Sequence, residues 1–354
     1  MRRIALLFLV LTCLVSVQPS QASQPDSRLQ VVPETVYKVD DPGNSITSSF
    51  MFYIAVICST ECDLTPISAH VELSSAGAIV ERQDWTTETL AKIKGATFRI
   101  SQDTPVASPR RMFALPEAFD LRFYFRLPQA LAIDSAVVRV TVTDAKGRRA
   151  EQTLKIPIRT YQQKTSLIAP FRGRGIFGQD WGTNGGHGGG IGTDFAIDLD
   201  GLGQNYEGQL NDENENASDL GWGREILAPA AGTVVYARND VPDNPHPGEP
   251  DVNSLGALHD PVMAYAGNCV IIDHGNSEFS VLMHMQRGSV LVKVGNRTTA
   301  GQAIGKLGNS GDSFGPHMHY QLQSSSQLFH GQSLPIKFQN IDVPLRRGEY
   351  FDAK

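Results

Sequence analysis

The chain has 354 residues, 41% of them hydrophobic and 19% charged, with 33 glycines, 20 prolines and a formal net charge of −6. That length accommodates two ordinary domains with real cores, and the balance describes a loop-rich, β-rich globular protein rather than a disordered one. The negative charge excludes a basic nucleic-acid-binding surface, and equally a protein held to anionic lipid by one.

Residues 1–22 read as a secretory signal. Arg2 and Arg3 precede an apolar run from Ile4 to Val17, and Pro19-Ser20-Gln21-Ala22 supplies small residues suited to cleavage after Ala22. The run is shorter than the roughly 20 residues a spanning helix needs, and no later segment is apolar enough to span. The mature chain is therefore expected to be exported, to the periplasm or to the cell wall outside, with no transmembrane segment. Cys13 has Thr12 before it and further apolar residues after it, which fits a lipoprotein signal poorly. In an oxidising compartment Cys58 and Cys62, separated by Ser59-Thr60-Glu61, are expected to staple a turn as a disulfide. Cys269, in the apolar pattern Asn268-Cys269-Val270-Ile271-Ile272, reads as a buried free thiol.

From residue 28 to 160 the pattern is one of short strands separated by turns. Phe50–Ile57, His70–Leu73, Phe119–Leu127, Val137–Val142 and Gln152–Ile158 are rich in β-branched and aromatic residues, with Asp144-Ala145-Lys146-Gly147 as a hairpin turn and one helix at Thr86–Lys94. The expectation is an immunoglobulin-like sandwich. Its charges are scattered and its one histidine, His70, reads as having no partner, so the domain is taken as a spacer or docking module. Residues 161–180 read as a linker, 181–345 as a second, antiparallel β domain, and 346–354 as a tail; the fold class is all-β.

In the second domain, glycine-rich Gly182–Gly192 carries His187 just before the strand-like Thr193–Leu199, where Asp194, Ala196 and Asp198 share a face. Gly267–His274 and Phe279–Met285 form a hairpin across Asp273-His274-Gly275-Asn276, and alternation puts Ser280, Leu282 and His284 on one face. Two long irregular loops, about 201–223 and 239–266, are of a length that is usually functional or disordered. His246, His259 and His330 read as loop residues, His274 as a turn residue, and the acidic run Asn211–Asn216 as a solvated loop. Finally Gly315-Pro316-His317-Met318-His319-Tyr320 places two imidazoles on one side of a strand end, an arrangement that suits metal ligation or one ligand beside one proton-transfer group.

These stretches together resemble the lysostaphin/LytM-type zinc endopeptidases that cut peptidoglycan. The resemblance is carried by Phe195-Ala196-Ile197-Asp198, Ile226–Val234, Gly267–Gly275, Leu282-Met283-His284-Met285, Val292–Gly295, Gly301–Gly305, and Gly308-Asn309-Ser310-Gly311 leading to Gly315–His319, over roughly residues 165–345. It implies a secreted zinc metalloendopeptidase with one Zn²⁺ per chain, held by His187, Asp198 and His319, and with His284 and His317 flanking the reacting water. Two imidazoles and one carboxylate leave a fourth coordination position open, as catalytic rather than structural zinc requires. Ligation needs neutral imidazoles, so activity is expected to fall in acid. One departure stands: the family usually has three residues between histidine and aspartate, whereas ten, Gly188 to Ile197, intervene here. Asp194 is the alternative carboxylate. The implied substrate is a peptide bond in peptidoglycan stem peptides or cross-bridges, and a regulatory protein is the further class of partner considered. The rival readings are a non-catalytic regulator of wall hydrolysis, a wall-binding module, and a protease on protein substrates.

Overall fold

The computed structural model describes residues 27–32, 35–40, 46–58, 64–93, 118–179, 187, 192–210, 214–248, 250, 264–328 and 332–354. The expected signal segment, Cys13, Cys62, His259 and His330 lie outside the described residues, as does the side chain of Cys58 and with it the expected disulfide. No helix among the described residues is long and apolar enough to cross a membrane.

The amino-terminal domain is built from β1 (Ser27–Val32), β2 (Val36–Asp40), β3 (Thr47–Cys58), β4 (Leu64–Ser75), β5 (Ala78–Thr86), α1 (Thr87–Ile93), β6 (Ala118–Pro128), β7 (Ser135–Asp144) and β8 (Arg149–Thr160). The strand order is β1-β3-β2-β8-β7-β4-β5 with β6 on β3, and all pairs are antiparallel except β2–β8. Alternation builds the core. Phe50, Phe52, Ile54 and Val56 of β3 meet Leu121, Phe123, Phe125 and Leu127 of β6 and the valines 138, 140 and 142 of β7 in one buried cluster. Phe50 and Phe125 stack with ring centroids 5.1 Å apart, and Trp85 sets its edge on Phe123 at 4.8 Å. The Asp144–Gly147 turn forms as expected, with the Asp144 carboxylate accepting the amides of Lys146 and Arg148. His70 differs from expectation. It bonds to Asp84 across the β4–β5 ladder and sits 3.4 Å from Glu72 two residues on in its own strand, so it has two acidic partners.

The second domain comprises β9 (Gly173–Gln179), β10 (Ile197–Gly201), β11 (Glu225–Leu227), β12 (Gly232–Ala237), β13 (Asn268–Asp273), β14 (Phe279–Met285), β15 (Arg297–Thr298), β16 (Ala303–Lys306), β17 (Met318–Gln323), β18 (Ser333–Leu334) and β19 (Tyr350–Ala353). Its antiparallel sheet runs β15-β12-β13-β14-β17-β10-β9-β19. Two expected boundaries are corrected. Residues 161–180 are not only a linker, because Leu167, Ala169, Phe171 and Phe177 are fully buried and 173–179 form β9. Residues 346–354 are not a tail, because β19 pairs with β9 and Phe351 packs on Phe177 at 4.7 Å. The strand expected from Thr193 begins only at Ile197, with Asp194 in the preceding turn.

β17 lies between β14 and β10 and presents two chemically different faces. Met318, Tyr320 and Leu322 enter the main core with Leu282, Ile197 and Leu199. His319, Gln321 and Gln323 point to the other face, where Cys269, Ile271, Val281 and Met283 form a smaller cluster.

The domains are joined through a buried carboxylate. Glu278, in the β13–β14 turn, is fully buried and accepts bonds from the Tyr161 hydroxyl, the Lys164 and Thr165 amides (both 2.7 Å) and the Thr165 hydroxyl. Burial pushes this carboxyl up, and the bonds from Thr165, Tyr161 and Lys164 outweigh it, so it sits below its ordinary value of 4.5. A depressed folded-state pKa adds stability above the unfolded value and loses it as pH falls through the folded one. Glu278→Ala strands these donors and is expected to lower stability by about 2–4 kcal/mol at pH 7. In thermal unfolding followed against pH, its difference from the unaltered protein should shrink below pH 4.5.

Candidate metal centre

β10, β14 and β17 carry Asp198, His284 and His319, while His187 and His317 stand in the segments before β10 and β17. Asp198 and His319 are direct cross-strand partners, and Met283 stands opposite His319 on the other side. The Asp198 Oδ1 atom lies 2.8 Å from His187 Nε2, 3.2 Å from His319 Nδ1 and 3.6 Å from His317 Nε2. His187, Asp198 and His319 each offer a ligand atom, all within 4.8 Å of one another, and they are the group of this kind found among the described residues. Asp194 is not in it. It is buried in the turn away from these histidines, and burial pushes its carboxyl up to about 7.

His284 joins the site by a break in alternation. Regular alternation would put it beside Ser280 and Leu282 in the core, and that sequence-based reading is overturned. The residue adopts φ +61°, its ring sits 4.8 Å from that of His317 and 5.9 Å from that of His319, and Met285 takes the core direction instead. A left-handed backbone is costly for a residue with a Cβ, and such strain persists only where the surroundings hold it. Here the His284 amide donates to Ala266 O at 3.0 Å, and its Nδ1–H donates to Ser310 O at 2.8 Å. Ser310 is in turn fixed through its hydroxyl, which accepts from the Asn268 amide at 2.9 Å and donates to Met285 O at 2.7 Å. Gly267 and Gly311 allow this approach, since a Cβ on Gly267 would stand 2.3 Å from Ser310 O and one on Gly311 2.4 Å from Gly267 N.

Main-chain carbonyls set the hydrogens on the other rings. A carbonyl only accepts, so His284 Nδ1 and His317 Nδ1, the latter 2.8 Å from Gly315 O, carry hydrogens when the rings are neutral. Both rings then turn a free Nε2 inward. Burial, followed by the neighbouring His317 and His319, holds His284 well below the ordinary imidazole range, so it is neutral at physiological pH. Asp198 behaves oppositely. Burial pushes it up, but His187 and His317 beside it, with bonds from His187 and His319, hold it well below the carboxylate range.

The five residues line a cleft of about 720 Å³ whose walls include Leu202, Gln209 and Asp219 from the first long loop, Pro247 from the second, and Asp312 and Phe314. Asparagines knit these loops together. Asn309 Nδ2 donates to Asn216 Oδ1 at 2.8 Å, Asn216 Nδ2 to Asn244 O at 2.7 Å, and Asn244 Nδ2 to Ser313 O at 3.0 Å. Asn216 is thus buried, although the acidic run ending on it reads as solvated. Asp200 and Asp219, also lining the cleft, are raised by burial to about 7 and about 6. His274 lies away from the cleft and ties its turn to Ala231 O and Ser280. Sequence reasoning missed Ser310, Gln321 and Gln323. For the glutamines the available signal was that the polar alternation of His317 and His319 continues through them.

Residues 218–331 match peptidase family M23. The chain is 47% identical over 81 residues to "Peptidoglycan DD-endopeptidase ShyA" of Vibrio cholerae serotype O1, covering 23% of this chain and 17% of that protein. It is 46% identical over 100 residues to "Peptidoglycan DD-endopeptidase ShyC" of the same organism, covering 28% of this chain and 19% of that one. The chain thus spans less than a fifth of the length of these relatives. Among solved structures it is similar to the catalytic domain of the prophage-encoded M23 protein EnpA from Enterococcus faecalis (20% identity, TM-score 0.30, 48% of this chain and 94% of that one). It is also similar to the catalytic domain of lysostaphin from Staphylococcus simulans (22% identity, TM-score 0.26, 46% and 88%). The M23 match contains His284, His317 and His319, whereas His187 and Asp198 precede it.

The left-handed conformation at His284 generates a prediction. His284→Asn should be tolerated, because Asn enters this region readily, whereas His284→Val should cost about 1–2 kcal/mol more. Denaturant unfolding midpoints of the two variants check it.

Proposed function

We propose that this chain, whose residues 218–331 form a peptidase family M23 domain, is an exported zinc metalloendopeptidase that hydrolyses peptide bonds in peptidoglycan stem peptides or cross-bridges. The observation that carries this is the convergence of three ligand atoms within 4.8 Å at the floor of a cleft that two further imidazoles enter. The donor set fits the metal. Two imidazole nitrogens and one ionised carboxylate give three protein ligands of the type zinc takes at catalytic sites. His187 Nε2, Asp198 Oδ1 and His319 Nδ1 would hold it. When bound, zinc supplies Lewis-acid chemistry, making water more acidic and polarising the carbonyl to be attacked.

The protein's own part is proton transfer and positioning. With Nδ1–H of each ring tied to a main-chain carbonyl, His284 and His317 offer Nε2 to the cleft. A neutral Nε2 takes the proton of the attacking water, and the imidazolium so formed donates from the same atom to the oxyanion or to the leaving amine. Because their Nδ1 partners are fixed, the rings need not reorient during this exchange.

The substrate class is supported by the names of the relatives, which concern a small part of their length, and by the cleft of about 720 Å³ that the five residues line. Export is supported by the reading of residues 1–22 as a signal. Purified sacculi incubated with the protein are expected to release peptide-cleaved fragments identifiable by mass. His319→Ala should release none, and His284→Ala or His317→Ala should cut turnover by about 10²–10⁴. Equal release by the protein and by His319→Ala would overturn the proposal, and release from a protein substrate alone would redirect it to proteolysis. In a zinc assay by elemental analysis, Asp198→Ala should lose the metal and Asp194→Ala should keep it, with the reverse result showing that the ligand assignment is wrong.

A further inference from the structure

The polar face of β17 continues past the site as a row of buried amides. His319 Nε2 lies 3.1 Å from Gln321 Oε1, Gln321 Nε2 donates to Gln323 Oε1 at 2.5 Å and to Gly192 O at 3.4 Å, and Gln323 Nε2 donates to Ser325 O at 2.6 Å and Gln327 O at 3.3 Å. Both glutamine side chains belong to fully buried residues, and His319 is 4% exposed. Each hydrogen-bonding group in this row must therefore find its partner within the protein.

The direction of the row is fixed from its far end. Ser325 O and Gln327 O are carbonyls and only accept, so the group of Gln323 facing them is its amide nitrogen, and its oxygen faces Gln321. Gln321 must then turn its nitrogen toward Gln323, an orientation reinforced by Gly192 O, which also only accepts. The oxygen of Gln321 is left facing His319. An oxygen there demands a hydrogen on His319 Nε2 and leaves the lone pair of the neutral ring on Nδ1, the atom 3.2 Å from Asp198 Oδ1. The bond to Gly192 matters separately, because Gly192 ends the glycine-rich segment that carries His187 and adopts φ +83°.

We propose that Gln321 is a positioning residue that fixes His319 in the tautomer offering Nδ1 to the metal and pins the end of the His187 segment through Gly192. The proposal rests on the reading of His187, Asp198 and His319 as the zinc-holding set, but its first test needs no zinc. Partners of this kind, one step behind a ligand, change metal affinity by about 10–100-fold when removed. Gln321→Met keeps the length and volume of the side chain and removes its hydrogen bonding. Gln321→Glu keeps the acceptor for His319 and removes the donor to Gly192.

Long-range ¹H–¹⁵N correlation spectra of the metal-free protein read the tautomer directly. The unaltered protein is expected to show His319 with a hydrogen on Nε2, whether or not Nδ1 also carries one toward Asp198, and a ring without that Nε2 hydrogen overturns the proposal before any variant is made. Gln321→Met is expected to show a mixture of tautomers and zinc binding weakened about 10–100-fold in chelator competition. Gln321→Glu should keep the Nε2–H tautomer and bind zinc with an intermediate loss. A Gln321→Met protein that folds, keeps the single tautomer and binds zinc within twofold of the original also overturns it. Failure of the unaltered protein to bind zinc would sink the functional reading, while the tautomer measurement would still decide the role of Gln321.

Discussion

The second domain depends on one demand, that a strand in the middle of a sheet bury a row of polar side chains without leaving any of them unpaired. β17 meets it by giving alternate residues to two environments. Met318, Tyr320 and Leu322 fill the main core, while His319, Gln321 and Gln323 bond to one another, to Gly192 and to the 325–327 turn. Because an inner strand is held on both sides, the imidazole and the carboxylate opposite it, Asp198, are set by ladder geometry rather than by loop packing. Asp198 and His319 are thus attached to the middle of the sheet, while His187 and His317 come from the segments before β10 and β17 and the long loops supply walls of the cleft.

His284 shows how the same sheet recruits a residue that alternation would have buried elsewhere. A single left-handed residue at the end of β14 turns the ring onto the site face, and the Gly267–Gly311 contact brings the Ser310 carbonyl under it. The strained backbone, the close glycine pair and the tautomer of the ring are therefore one arrangement. Removing any of them frees the others. This gives a physical reason for the Gly267-Asn268 and Asn309-Ser310-Gly311 stretches, which contribute no side chain to the five-residue set.

The first domain is attached by contacts of the same kind. Tyr37 and Tyr161 pack on the second domain's core, and the carboxylate of Glu278 gathers the donors of the connecting segment. A buried carboxylate without those donors would be costly, so the connection is specific in register as well as in place. It sits at the β13–β14 turn, the opposite end of β14 from His284, so the connection leaves the cleft uncovered by these contacts.

Much of this was legible in the residues. The alternating strands of both domains, the β13–β14 hairpin and the placing of His317 and His319 on one side follow from period-two patterning, because that signal is local, whereas Asp194 and Asp198 share a face in that pattern and Asp198 is preferred only through the resemblance of Phe195-Ala196-Ile197-Asp198 to a family motif. The strand β5 was not legible, since Ala78–Thr86 is largely exposed and polar and carries little alternation of hydrophobicity. Nor were the roles of residues 161–180 and 346–354, whose burial is created by β9 and β19 meeting across 170 residues of chain. What the sequence determined by itself was which residue types were available and which face of each regular strand they took. Only the tertiary structure decided where that regularity is broken, as at His284, and which carbonyl lies against which ring, as at Ser310, Gly315 and Gly192, because those contacts join segments whose separation along the chain carries no local signal.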